Sequence, residues 1–282
     1  MRISAGTSTT PPTSSGSFGN DAALYDRPVT SDPTRPPFSI DLDVPAVALA
    51  IAAHPDDVEF CCGATLARWA RAGCVVHHLI CTDGSKGSWD ASADLAALVV
   101  RRQGEQRAAA AALGATGEVV FLGVVDGELT ASPRNVSAVS REIRRLQPTV
   151  ILGHDPWKRY RLHPDHRNAG FLTVDAVVAA RDPHFYPEHG IAHHRPEALL
   201  LFEADEANHL ERADEQSIAA KLAALEAHES QHETTHLYRL DPDAPAASPI
   251  EGFRSRERDK LRGAAAPFGK SAGEAFHLIS EL

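Results

Sequence analysis

Two short motifs in this chain combine residue types that pack poorly and bind cations well. The first is Ala53-His54-Pro55-Asp56-Asp57. Pro55 restricts one backbone angle and shapes a turn. His54 and Asp57, three apart, can point the same way from that turn, whereas Asp56 between them points elsewhere. The motif therefore offers two metal ligands and one free carboxylate. The plainer alternative is a solvated turn in which Asp57 caps the next helix. The second motif, His163-Pro164-Asp165-His166, is again a proline-shaped turn, with two imidazoles three apart. Together the motifs supply three or four nitrogen and oxygen donors of the kind zinc accepts. Their spacing leaves open whether His163 or His166 binds. A catalytic metal keeps one position for water, so three protein ligands are expected and one histidine remains for acid or base work.

The elements that must position these motifs follow from the apolar runs. Val47 to Ala53 is a short run ending at a proline turn, as a buried strand does. Further strands are expected over about 75–81, 119–122, 149–152, 199–202 and 273–279. Helices are expected over about 63–71, 94–113, 136–146, 168–180 and 217–228, the second ended by Gly114 and the third stopped before Pro148. This alternation predicts an α/β domain with a mainly parallel sheet and helices on both faces. Such sheets place their sites at the carboxyl ends of the strands, and the two motifs follow the first and the fourth strand.

Several weaker candidates accompany them. Thr82 to Gly87 suits a loop that lets a substrate approach, or an ordinary turn. Arg102 and Glu105, at i and i+3 on a helix, read as a surface ion pair or as site residues. Asp126-Gly127 follows the third strand and can be a turn alone, while His228, Ser230 and Gln231 are expected to cap or brace the sheet.

Composition removes other classes of function. Asp and Glu number 38 against 28 Lys and Arg, a formal charge of −10, which disfavours nucleic acid and anionic membrane as partners. No run of about eighteen apolar residues is present, so no membrane span is expected, and no apolar stretch follows Arg2 as a secretory signal would require. The cytoplasm is the default expectation. The four cysteines form no Cys-x-x-Cys pair and read as buried free thiols. Residues 1–40 are rich in Ser, Thr, Pro and Gly and read as a flexible tail, with 41–282 as the folded domain.

The two histidine motifs in combination resemble the PIG-L/LmbE-like family of zinc-dependent N-acetylglucosaminyl deacetylases. The likeness runs over about residues 45–280. It takes in Thr82-Asp83-Gly84, Arg102 with Glu105, Asp126-Gly127, Lys221 to Leu225 with His228 and Ser230-Gln231, and Glu274-Ala275-Phe276. It implies a Rossmann-like fold and removal of an N-acetyl group from an N-acetylglucosamine-type amino sugar or conjugate. Carried over by motif, His54, Asp57 and His166 bind Zn2+, with Fe2+ as the other candidate metal. Asp56 is the general base, and His163, as imidazolium, stabilises the oxyanion or protonates the leaving amine. Arg102 and Asp126 resemble substrate-contacting positions. Val58 stands where many members carry Glu directly after the two aspartates, and Glu59 follows it. The alternatives are a metal-dependent amidase acting on a larger conjugate and a metal- or sugar-binding protein without turnover. A binder needs neither Asp56 nor His163.

Overall fold

The computed structural model describes residues 38–236 and 249–282. Side-chain alternation along one central strand sets the layering. In β2 (Val47–Ala52), Ala48, Ala50 and Ala52 join a core cluster with Leu66 and Trp69 of α1 (Asp57–Arg71), Leu113 just past α2 (Leu95–Ala112) and Ala224 of α5 (Glu215–Glu226). Leu49 and Ile51 face the other way, into a cluster with Val139 and Ile143 of α3 (Pro133–Leu146) and Leu172 and Ala176 of α4 (Pro164–Arg181). Both faces of the sheet are thus covered, which is why its strands read as continuous apolar runs.

The sheet has eight strands in the order β1-β7-β8-β6-β5-β2-β3-β4. The remaining strands are β1 (Ser39–Ile40), β3 (Val75–Thr82), β4 (Val119–Val124), β5 (Val150–His154), β6 (Ala198–Phe202), β7 (His209–Arg212) and β8 (Gly273–Ile279). All pairings are parallel except those of β8, which runs antiparallel to β6 and β7. The chain winds from β2 outward through β3 and β4, then returns to place β5 on the other side of β2. The point between β2 and β5 is therefore the topological switch, the crevice where open α/β sheets bind ligands. The expected Rossmann-like α/β architecture is the observed one.

Three elements escape the sequence pattern. β1 is two residues long, and β7 carries His209 and Glu211 among its four residues. The third, α6 (Pro249–Ala265), is rich in charged residues and buries only Phe253, Glu257, Leu261 and Ala265. The sheet takes in residues 39–40, which composition assigned to the tail. Ser39 Oγ lies 2.7 Å from His209 Nδ1, and Leu42 N donates to Glu211 Oε1 at 2.8 Å. The rest of the expected tail, up to residue 37, lies outside the described residues. Cys61, Cys62, Cys74 and Cys81 are free thiols. No helix among the described residues is long and apolar enough to cross a membrane.

The helix expected from residue 63 begins at Asp57 because α1 is two segments joined at Cys62 (φ −144°, ψ 15°). Glu274 caps the second segment, accepting from Ala64 N (3.1 Å), Thr65 N (2.8 Å) and Thr65 Oγ1 (2.6 Å). Lys221 takes the orphaned carbonyl of Phe60 at 2.6 Å and pairs with Glu274 Oε1 at 2.7 Å. Burial alone would lower the Lys221 pKa, but Glu274 holds it above the usual lysine value. The break sets the direction of the first turn of α1, which carries Asp57. Glu274→Leu strands a buried cation and is expected to cost about 3–5 kcal/mol in urea unfolding. The double change Glu274→Leu with Lys221→Met is expected to cost less than that single change.

Candidate active site

Side chains from the ends of β2, β4 and β5 meet at the switch. The turn after β2 carries His54 and Asp56 and delivers Asp57 as the first residue of α1. Asp56 holds φ 109° and ψ −24°, a left-handed backbone that costs a non-glycine residue on the order of 1–3 kcal/mol. The segment after β5 ends at His163, the N-cap of α4, whose side chain accepts from Asp165 N at 3.3 Å. Pro164 opens the helix, where its missing N–H is not needed. His166 then projects from the first turn toward His54.

Three side chains form a triangle in which the two distances to Asp57 end on different carboxylate oxygens. His54 Nδ1 lies 3.2 Å from His166 Nε2 and 3.3 Å from Asp57 Oδ2, and His166 Nε2 lies 3.3 Å from Asp57 Oδ1. Ligands at zinc distances of 2.0–2.2 Å in tetrahedral array are separated by roughly 3.3–3.6 Å. These separations suit a small cation, and the groups in this cluster that could hold one are His54 with His163 and His166, Asp57 with His154 and His166, and His54 with Asp126 and Asp165. Burial alone would raise the Asp57 carboxyl, but His166, His154 and His54 hold it well below the usual carboxylate range. His154 also lies close, with Nε2 3.4 Å from Asp57 Oδ2 and its ring stacked on His166 at 4.5 Å. The same nitrogen lies 3.3 Å from Ala53 N, and Asp57, His154 and His166 are together close enough to hold an ion.

The far nitrogen of His54 is oriented by two carboxylates. Nε2 lies 3.1 Å from Asp165 Oδ2 and 3.2 Å from Asp126 Oδ1. Asp165 is itself held by Gly127 N at 2.6 Å and Leu129 N at 3.2 Å, and Asp126 Oδ2 by Lys86 N at 3.2 Å. A carboxylate behind a ligating histidine fixes its tautomer and raises its basicity.

Asp56 and Asp57 have opposite surroundings. Burial pushes the Asp56 carboxyl up to about 6, partly offset by the Arg102 guanidinium, whose Nη2 lies 3.7 Å away. Asp56 makes no side-chain cap bond to the helix it precedes. The alternative of a capped turn built on Asp57 is not observed, because Asp57 lies inside α1 and turns its carboxylate back onto His54 N at 2.8 Å.

Three expected site residues have close partners in the structure. Arg102, expected at the substrate, is 3% exposed and donates to Gly84 O at 2.9 Å and Pro55 O at 2.6 Å. It clamps the β3–α2 loop onto the catalytic turn. Gly84 (φ 66°) allows this approach, since a Cβ there would sit 2.7 Å from the guanidinium. Asp126, expected to contact substrate, is 6% exposed and turned to His54. His163, expected as imidazolium, has its pKa lowered by burial and then by the neighbouring His54, so the neutral ring is favoured. The sequence reading assigned no role to His154 or Asp165. His154 closes the apolar run of β5, and Asp165 stands inside the second motif, so both were visible as residues without an evident task.

Fold and site together describe an α/β protein whose strand ends gather His and Asp side chains that could hold a metal ion. The family model PIG-L, described as GlcNAc-PI de-N-acetylase, matches residues 49–177. Diacetylchitobiose deacetylase of Thermococcus kodakarensis is 33% identical over 186 residues, 65% of this chain and 69% of that protein. The 1D-myo-inositol 2-acetamido-2-deoxy-alpha-D-glucopyranoside deacetylase of Rhodococcus erythropolis is 37% identical over 166 residues, 50% of this chain and 56% of the relative. The structure of N,N'-diacetylchitobiose deacetylase from Pyrococcus horikoshii superposes with a TM-score of 0.72 at 26% identity, covering 84% of each chain. The chain belongs to the PIG-L family.

Removing Asp165 tests the orientation of His54. Asp165→Asn is expected to weaken metal affinity about 10–100-fold, the usual cost of losing an outer carboxylate, as read by competition with a chelating indicator. An affinity equal to wild type would show that Asp126 alone orients the ring.

Proposed function

We propose that this protein is a zinc-dependent hydrolase that removes the N-acetyl group from an N-acetylglucosamine-type amino sugar or conjugate. The observation that carries the reading is the division of labour between adjacent aspartates: Asp57 lies in the donor triangle, while Asp56 is buried, raised to about 6 and outside it. The substrates named for the two relatives share an N-acetylated glucosamine unit, and that shared chemistry is what we carry to this chain. The four free thiols suit the cytoplasm, where we place it.

His54, Asp57 and His166 would hold the metal, which when bound supplies a Lewis acid for the amide carbonyl and acidifies water. Asp56 accepts a proton from the attacking water, and its pKa near the working pH suits both taking that proton and giving it up. Water oxygen bonds to the acyl carbon, the C–N bond breaks, and the proton passes to the departing amine. His163 has its Nδ1 engaged by Asp165 N, which leaves Nε2–H as the donor to the oxygen that gains charge. Arg102 and Asp126 act on substrate through the loops and the ring that they hold.

Acetate release from N,N'-diacetylchitobiose, with metal content measured on the same samples, tests this. Asp56→Asn is expected to lower turnover about 10²–10⁴-fold with metal retained. Asp57→Asn is expected to lose metal and to regain part of its activity with added zinc. The reverse pattern would exchange the two roles, and no acetate from wild type would remove the reading.

A pH profile adds a second check. Arg102 lowers the Asp56 pKa, so its loss raises it, and the ionised base is then lost at higher pH. The acid limb of kcat/KM is expected to move up in Arg102→Gln and less in Arg102→Lys, which keeps the charge.

A further inference from the structure

The base sits on a backbone that its own residue type disfavours, and something must hold it there. Asp56 N donates to Gln106 Oε1 at 3.0 Å. Gln106, from the middle of α2, is 0% exposed. Its Nε2 donates to Glu59 Oε1 at 2.7 Å and lies 3.2 Å from His78 Nδ1. Glu59 Oε2 is in turn 3.2 Å from His228 Nε2. Glu59, His78 and His228 are likewise 0% exposed. A chain of contacts thus runs from the catalytic turn through α2 and α1 to His228, just past the end of α5.

We propose that Gln106 is the positioning residue of the base: its carbonyl oxygen pins the Asp56 peptide in the left-handed conformation, and Glu59, held by His228, locks the amide in the orientation that allows this. This rests on Asp56 being the base. The orientation follows from the partners. Asp56 N–H can only donate, and the Glu59 carboxylate can only accept. Flipping the Gln106 amide would set NH2 against N–H and a carbonyl against a carboxylate, all in a dry interior where unmade hydrogen bonds are expensive. One orientation meets both demands and leaves the second Nε2 hydrogen for His78 Nδ1.

The Asp56 peptide also governs where the neighbouring side chains point. A left-handed residue between His54 and Asp57 is what lets those two face the triangle while the Asp56 carboxylate leaves it. Gln106 touches neither substrate nor metal in this arrangement and acts through that one peptide. Glu105, its neighbour, serves a different purpose, accepting from Ser230 N at 2.8 Å and Ser230 Oγ at 2.5 Å.

Gln106→Met keeps the volume and removes the acceptor. Hydrogen–deuterium exchange reads the bond directly and needs no substrate: the Asp56 amide is expected to exchange at least about tenfold faster in the variant. Unchanged exchange overturns the proposal. In acetate release, kcat is expected to fall about 10–100-fold, the scale of a misplaced catalytic group, while KM stays within about twofold of wild type. In an Asp56→Asn background the same change is expected to cost under about twofold, because the two residues act as one unit. A general weakening of the domain would instead multiply the two losses, and that result overturns the proposal. Exchanging the pair, Glu59→Gln with Gln106→Glu, restores a donor facing an acceptor and is expected to recover most of the kcat lost in Gln106→Met; no recovery overturns the locking role of Glu59. If wild type releases no acetate while the Asp56 amide still loses protection in Gln106→Met, the deacetylase reading fails and the bracing stands.

Discussion

Three carboxylates taken out of water around one imidazole are the constraint on which this structure depends. Asp57, Asp126 and Asp165 are 8%, 6% and 0% exposed and all lie within 3.3 Å of a His54 nitrogen. Buried like charges repel strongly unless cations and hydrogen bonds compensate them. Here the compensation is built from backbone N–H groups of the loops after β3 and β4 and from imidazoles of β5 and α4. Those donors exist only because the chain reverses its winding between β2 and β5, which brings four otherwise distant segments to one crevice. The sheet order and the charge arrangement are two aspects of one requirement.

Around this centre the fold separates groups by what they must not do. Asp57 lies among imidazoles and stays ionised. Asp56, one residue away, is turned by its left-handed backbone into a dry pocket beside a single guanidinium, and its proton affinity rises. Arg102 therefore does two things from one buried position. It ties the catalytic turn to the β3–α2 loop through Pro55 O and Gly84 O, and it limits how far burial can raise Asp56. Glu274 and Lys221 play the corresponding part behind α1, satisfying the groups that a mid-helix break leaves open.

Much of this was legible in the sequence because it is local. Apolar runs marked the six longer strands, and proline-centred motifs marked the site, since ligand spacing on a turn depends on the residues of that turn. What escaped depends on distant partners. β7 and α6 carry too few apolar residues to show a period; β7 is held through buried polar groups with distant partners, Ser39 on His209 (2.7 Å) and Leu42 N on Glu211 (2.8 Å), and α6 by a thin apolar stripe. Helix α1 starts six residues earlier than its pattern suggests because Glu274, far along the chain, caps the break. Arg102 and Asp126 read as substrate contacts because a charged residue near a site suggests a ligand, and only the structure shows their partners, Asp56 for Arg102 and His54 for Asp126. The tasks of His154 and Asp165 depend on the position of His54 and Asp57 in space, which spacing along the chain does not contain.

The central claim is that one metal ion, held by His54, Asp57 and His166, is required for hydrolysis of an N-acetyl group. Titrating metal-free protein with zinc while following acetate release from N,N'-diacetylchitobiose tests it most directly. The account predicts no turnover at the start and activity that rises linearly and levels off at one zinc per chain. Full turnover by the metal-free protein, or a plateau reached only at two zinc ions per chain, would contradict it.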